Sequence, residues 1–322
     1  MRRRQFLGVL GGALTAWPLA TRAQEAGRIY RLGFMIPTGR EFPAVVAMFD
    51  ELRLNGFIEG RNLTVTAGSF DGRTDQLAEQ AAAMVKDAPD AIVGGPMQLR
   101  ALQAATRTVP LIGMTEDMVA EGLVASLARP GGNTTGISLL SPELDEKRQG
   151  LLTEAVPGVR RMAALSDSRA ARPSHLQALQ DAARRRGVEL SVFGVAGAEE
   201  IEPAINAAKA SGAEAFNFLA TPLFQVNSRT VFERVAALRV PAMYQWAEMA
   251  EDGGLMAYGA RLTQVYRQRA RLVVKVLRGA KPADLPVEQQ TTFELVINLK
   301  TAKAIGYEVP AGLVLRADKL IE

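Results

Sequence analysis

The stretch AIVGGPMQLRALQAATRTVPLIGM, Ala91 to Met114, carries the pattern that decides the fold. Ala91 to Gly94 is a short apolar run of the kind a buried strand needs. Met97 to Thr106 has helical spacing, and Leu111 to Met114 is a second apolar run. A strand, a helix and a second strand joined by short connections form a right-handed parallel unit, because the helix carries the chain back to the starting edge. Working outward, Tyr30 to Ile36 is a strand closed by Pro37. Ala44 to Asn55 is a helix with Val45, Val46, Phe49, Leu52 and Leu54 on one side. Leu63 to Ser69 reads as a strand and Asp75 to Lys86 as a helix. Downstream, a helix is expected over Met118 to Leu127 and extended chain over Thr135 to Leu140.

A second series of the same kind follows. Strands are expected at Met162 to Ser166, Leu190 to Val195, Ala215 to Ala220, Ala242 to Trp246, Leu255 to Tyr258 and Phe293 to Asn298. Helices are expected at His175 to Arg186 (ended by Gly187), Ile201 to Ala210, Val231 to Leu238, Leu262 to Leu277 and Leu299 to Ile305. Repeated βα units with short apolar strands imply an α/β protein with parallel sheets covered on both faces. Two series imply two such lobes, and ligands of open parallel sheets sit outside the carboxyl ends of the strands.

Charge and composition remove several functions. The 322 residues hold 38 Lys+Arg against 34 Asp+Glu, a net +4. Arg2, Arg3, Arg4 and Arg22 supply that excess, and no acid lies in the first 23 residues. The rest is balanced, which argues against a nucleic-acid binder that must displace counterions with clustered cations. No Cys and one His, His175, leave no thiol nucleophile, disulfide or multi-His metal site. The phosphate loop, GxGxxG, GxSxG and HExxH motifs are absent, so neither cofactor nor metal is expected.

The first 23 residues read as an export signal: basic Arg2 to Arg4, apolar Phe6 to Ala16, and Thr21-Arg22-Ala23 before a cleavage point near Ala23. RRQFL at Arg3 to Leu7 also fits a twin-arginine signal. The expected location is the periplasm. Gly131-Gly132 reads as a helix-ending turn, His175 as an exposed structural residue at a helix start, and Glu199-Glu200 and Glu251-Asp252 as charge pairs at helix starts.

Four stretches carry a resemblance: GFIEGRNLTV (Gly56 to Val65), GLVASLARPGGNTTG (Gly122 to Gly136), GGLMAYGA (Gly253 to Ala260) and GAKPADLPVEQQTTFELVINLKTAKAIG (Gly279 to Gly306), with LRADKLIE at the end. Together they resemble bacterial ABC transporter substrate-binding proteins of the tryptophan/tyrosine-binding type, across essentially all of Ile29 to Glu322. The resemblance implies the type I periplasmic binding protein fold: two Rossmann-like lobes joined by three crossovers. It implies a monomeric solute-binding component of an importer, delivering a small molecule to an inner-membrane permease and its ATPase, and not an enzyme. A ligand sensor for a membrane receptor is the alternative on the same fold, and an enzyme using the same cleft is a weaker one. The lobes are expected at 29–136 plus 258–285 and at 137–257 plus 286–322. Gly131, Gly132 and Gly136 would permit the first crossover and Gly253-Gly254 the second, and Pro282 and Pro286 would stiffen the third.

Ligand contacts are expected from loops after strands. In the first lobe these are Pro37 and Thr38, then Gly95, Pro96, Met97 and Gln98, then Thr115, Glu116 and Asp117. Ser166, Thr221, Tyr244 and Trp246 serve the second lobe, and Tyr258 lies near a crossover. Tyr244, Trp246 and Tyr258 would stack on a flat ligand. The family commonly has Gly-Asp-Pro where Glu116-Asp117-Met118 stands here, and only Asp117 is kept. It commonly has an acid before the proline that corresponds to Pro222, a natural partner for an α-ammonium group. Thr221 stands there instead, so tryptophan specificity does not carry over, and a carboxylate or neutral aromatic ligand is equally compatible.

Overall fold

The computed structural model describes residues 27–36, 38–68, 76–139 and 141–322. The export segment and Pro37 lie outside these. In chain order the elements are β1 (Tyr30–Met35), α1 (Pro43–Leu54), β2 (Leu63–Ala67), α2 (Leu77–Lys86), β3 (Ala91–Gly94), α3 (Pro96–Ala105), β4 (Leu111–Thr115), β5 (Thr134–Ser138), α4 (Ser141–Ala155), β6 (Arg161–Asp167), α5 (Pro173–Arg185) and β7 (Glu189–Val195). There follow α6 (Ile201–Ala210), β8 (Ala215–Phe218), α7 (Pro222–Val226), α8 (Ser228–Ala237), β9 (Ala242–Tyr244), α9 (Ala247–Glu251), β10 (Met256–Gly259) and α10 (Leu262–Leu277). The chain ends with β11 (Glu288–Gln289), β12 (Glu294–Asn298), α11 (Leu299–Ile305), α12 (Ala311–Val314) and β13 (Lys319–Ile321).

Two sheets result. The first has the order β11-β5-β4-β3-β1-β2 and is parallel throughout. The second has the order β13-β12-β10-β9-β8-β6-β7 and is parallel except where β10 meets β12. Ala91 to Met114 forms β3-α3-β4 at the centre of the first sheet, with Gly94 opposite Gly113. The central strands bury both faces, as their apolar runs require. The chain passes between the sheets three times: from β5 into α4, from β10 into α10, and from β11 into β12. This is the α/β architecture of two sheet-centred lobes joined by three crossovers.

Helix α10 returns from the second sheet to pack on α1, β3, β4 and β5. Its buried stripe includes Val265, Leu272, Val273 and Val276, which recur at helical spacing. Truncating Leu272 to Ala would cost about 2–5 kcal/mol.

Several sequence expectations are corrected. Residues 118–127 are not a helix. Asp117 accepts hydrogen bonds from the N–H groups of Val119 and Ala120, and a single turn ends at Gly122, whose φ of 71° is left-handed. The spacing does not reveal helix α4, because the first half of its buried face carries Asp145, Arg148 and Gln149, and apolar Leu151, Leu152 and Ala155 come only in its last turns. The short helices α7, α9 and α12 also escaped the spacing. Gly136 does not serve a turn. It sits inside β5, where a Cβ would lie 2.2 Å from the Gly113 carbonyl oxygen. Gly131 and Gly132 shape the turn into β5, but no helix precedes it. Gly253-Gly254 joins α9 to β10, and the second crossing comes after Gly259. Glu251-Asp252 lies at the C-terminal end of α9, where Glu251 pairs with Arg261 and Lys319 at 2.8 Å each. The first sheet includes Thr134–Ser138 and Glu288–Gln289, which run past the expected lobe edges at 136 and 285.

Candidate functional site

Residues at the carboxyl ends of strands from both sheets line one concavity. On the first wall, Gly95 is extended and Pro96 starts α3, so the chain turns sharply out of β3. Glu116 and Asp117 follow β4. On the second wall, β6 ends at Ser166 and Asp167, and β8 leads through Leu219 and Ala220 to Thr221. The start of α5 adds Arg172 and His175. Glu116 of the first wall shares one concavity with Asp145, Ser166, Asp167, Arg172 and His175 of the second. Asp117 approaches Arg172 at 4.0 Å, an ion pair between the walls.

Asp145 organises the second wall. Its side chain is 1% exposed and receives Arg148 Nη1 at 2.5 Å. His175 Nε2 lies 3.5 Å away on its other oxygen. Arg148 is buried as well and spends its other donors on the Tyr258 carbonyl at 2.7 Å and the Gln245 carbonyl at 3.4 Å. A buried ion pair holds only when its remaining donors are satisfied, and here the strand ends satisfy them. Burial pushes the Asp145 carboxyl up from its usual range, against the pull of Arg148, His175 and the Ala220 N–H. Burial holds the His175 imidazole below its usual value, against the pull of Asp145. The expectation of an exposed structural His175 is therefore corrected: its side chain is 12% exposed and faces a buried acid.

Glu116 is the most perturbed group of the cleft. Burial, with Asp145 and Glu121 as nearby negative charges, pushes its carboxyl up to about 8, against Arg172 and Arg148. At neutral pH it carries a proton that a cation arriving in the cleft would displace.

The acid that the sequence lacks at position 221 reaches the same place from another strand. Thr221 Oγ1 donates to Asp167 Oδ2 at 3.1 Å and accepts from the Leu223 N–H at 3.2 Å, capping α7. Gln245 Nε2 donates to the Thr221 carbonyl at 2.9 Å. Ser166 is buried at the same end of the sheet.

On the first wall Thr38 is half-buried, and its Oγ1 finds no hydrogen-bond partner among the described residues. Gly95 is buried, Pro96 half-buried and Met97 exposed at the rim. Gln98 and Thr115 are buried, and their Nε2 and Oγ1 atoms find no hydrogen-bond partner among the described residues.

The aromatic expectation is corrected at one position. Tyr244 is 1% exposed, stacked on Phe218 at 5.1 Å and met edge-on by Phe232 at 5.1 Å. Its ring is core, because its faces are already filled. Trp246 is buried where β9 passes into α9. Tyr258 is half-buried against Phe293, beside the crossovers. Asp145, Arg148 and Arg172 were not foreseen. In the sequence, Asp145 and Arg148 look like any solvated charge pair three residues apart, and no spacing signal separates the two cases. Among the described residues no cluster of His, Asp or Glu is arranged to hold a metal ion, and no helix is long and apolar enough to cross a membrane.

Comparison with known proteins places this arrangement. A family model described as ABC transporter substrate binding protein matches residues 43–321. A tyrosine-binding protein of Clostridioides difficile is 25% identical over 259 residues, covering 79% of this chain and 73% of that one. A conserved domain protein from Vibrio cholerae superposes with a TM-score of 0.82 at 25% identity, over 91% of this chain and all of that one. An ABC domain from Streptococcus pneumoniae in complex with L-Trp superposes with a TM-score of 0.80 at 23% identity, over the same shares, and supports the fold. With two sheets, three crossings and a cleft at the strand ends, the chain belongs to the ABC transporter substrate-binding protein family.

Proposed function

We propose that this protein is the periplasmic solute-binding component of an ABC importer and takes a small amino-acid ligand, aromatic in side chain, in the cleft between the lobes. The observation that carries the reading is Glu116 on one wall facing Asp145 and Asp167 on the other. Three carboxyl groups in one concavity suit an ammonium group, and Thr221 extends that acidic wall through its bond to Asp167. The names of the relatives, one tyrosine-binding and one bound to L-Trp, agree with this chemistry.

In this reading the lobes divide near residues 139–140, 260–261 and 290–293. Thr38, Gly95 to Gln98 and Thr115 to Asp117 offer the first wall, and Ser166, Asp167, Thr221 and Trp246 the second. Ligand bridging both walls shifts the population toward the closed form, which a permease and its ATPase then recognise. The basic and apolar segment before residue 24 supports export, and the protein acts as a monomer.

Titration calorimetry against the twenty amino acids tests the reading. Binding of one aromatic member, with ATPase stimulation of the reconstituted permease, is the expected result. No heat from any amino acid would refute the ligand class, and turnover of a bound compound by the protein alone would refute a pure binding role.

A further inference from the structure

Arg269 is a second charged feature of the first lobe that the acidic cleft does not use. It lies in the middle of α10 and is fully buried. Its Nη2 donates to the carbonyls of Gly94 at 2.5 Å and Ile112 at 3.0 Å. Those residues lead into the loops that carry Gln98 on one side and Thr115 on the other. One turn earlier on the same helix lies the buried Tyr266. Arg269 thus bridges the neighbouring strands β3 and β4, which lead to two of the three first-wall segments.

Its remaining donors are unspent. Nε and Nη1 find no acceptor among the described residues, and no carboxylate pairs with the guanidinium. Burial pushes it down to about 10, opposed only by Tyr266, so it stays charged at neutral pH. Only the Tyr266 ring, 5.9 Å from the guanidinium carbon, faces this cation, and a buried charge without a counter-ion is costly until an anion completes it. Gln98 Nε2 and Thr115 Oγ1, two further unpartnered buried atoms, lie on the same ends of β3 and β4.

We infer that Arg269 anchors a carboxylate at the floor of the first wall, so that the ligand is a zwitterion held by its anion on the first lobe and by its ammonium on the acidic second lobe. This rests on the cleft being the ligand site. It gives the two lobes opposite electrostatic preferences. A ligand with both charges then contacts both lobes at once, which is the condition for closure.

The test compares L-tryptophan with tryptamine and L-tyrosine with tyramine, pairs that differ by the carboxylate alone, by calorimetry on the purified protein. The wild type should prefer the amino acid by about tenfold to a hundredfold, the range of a charge-assisted hydrogen bond. Arg269→Gln keeps an N–H donor for the Gly94 carbonyl and loses the charge, and its preference should fall below about threefold. Arg269→Lys keeps the charge and should restore most of it. Circular dichroism checks that both variants fold. If only the Lys variant folds, it should still favour the amino acid, and equal affinities for the two compounds would overturn the inference. An unchanged ratio in Arg269→Gln would overturn it as well. If the wild type binds none of the four compounds, the amino-acid reading fails, and the anion site is judged by thermal unfolding in sodium acetate against sodium chloride at equal ionic strength. Extra stabilisation by acetate in the wild type and not in a folded variant supports the site, and equal responses refute it.

Discussion

Replacing Glu116 by Gln should make the protein more stable, and increasingly so as pH rises. The folded carboxyl is pushed up to about 8 from an ordinary 4.5. A raised acid favours the protonated folded state, so its contribution is fully present below about 4.5 and is lost as pH climbs toward 8. The full shift corresponds to about 5 kcal/mol at 1.36 kcal/mol per unit, of which about 3 kcal/mol has developed by pH 7. Glu116 is only half-buried at its own surface, and water and the facing arginines screen it, so about 1–2 kcal/mol is the expected measured value. The neutral Gln cannot ionise and loses this slope. Urea unfolding of both proteins at pH 5, 7 and 9 reads the effect. The curves should nearly coincide at pH 5 and separate at pH 7 and 9, with Glu116→Gln the more stable. His175 and Asp252 also titrate away from their usual values, but they are common to both proteins and cancel in the difference. Asp145 is coupled to Glu116, ionises more easily in the variant and adds to the gap with the same sign. A gap that is constant across the three pH values would refute the reasoning.

Other outcomes follow from the same geometry. Asp145→Asn strands the buried Arg148 and should cost about 3–5 kcal/mol in chemical unfolding. Tyr244→Ala should lower the melting temperature through a loss of about 3–5 kcal/mol, while the dissociation constant of the folded protein stays the same, because the ring is core. Gly136→Ala forces a methyl group against the Gly113 carbonyl and should destabilise by about 1–3 kcal/mol or more, seen as a shifted urea midpoint.

The alternation of strands and helices was legible because parallel sheets bury whole strands, and their apolar runs stand out. Ala91–Gly94, Leu262–Leu277 and Leu299–Ile305 lie where the spacing puts them. The failures have polar causes, a local capping contact in one case and buried charge in another. Residues 118–127 have helical composition, yet the Asp117 carboxylate and Gly122 close a single turn. Helix α4 buries charge, so its pattern resembles a surface. At the cleft, the strand-end rule picked out Glu116 and Ser166, which lie in the shared concavity. It missed Asp145 and Arg172 because they come from α4 and from the approach to α5, and loop-after-strand reasoning does not reach there. It placed Tyr244 in the cleft, although the last residue of β9 turns its ring into the core.

Arg148 ties three things together that a redesign would treat separately. One guanidinium holds the Asp145 carboxylate, the Tyr258 carbonyl next to the second crossing and the Gln245 carbonyl at the end of β9. Repainting the pocket to accept a new solute therefore has an allowed and a forbidden palette. Arg172, half-exposed, can be exchanged without touching this knot, whereas Thr221 is buried, caps α7 and is tied to it through Gln245. Any change that alters the charge of Asp145 also strands Arg148, and a sensor built on this scaffold would lose the tie between the ends of β9 and β10 along with the acid.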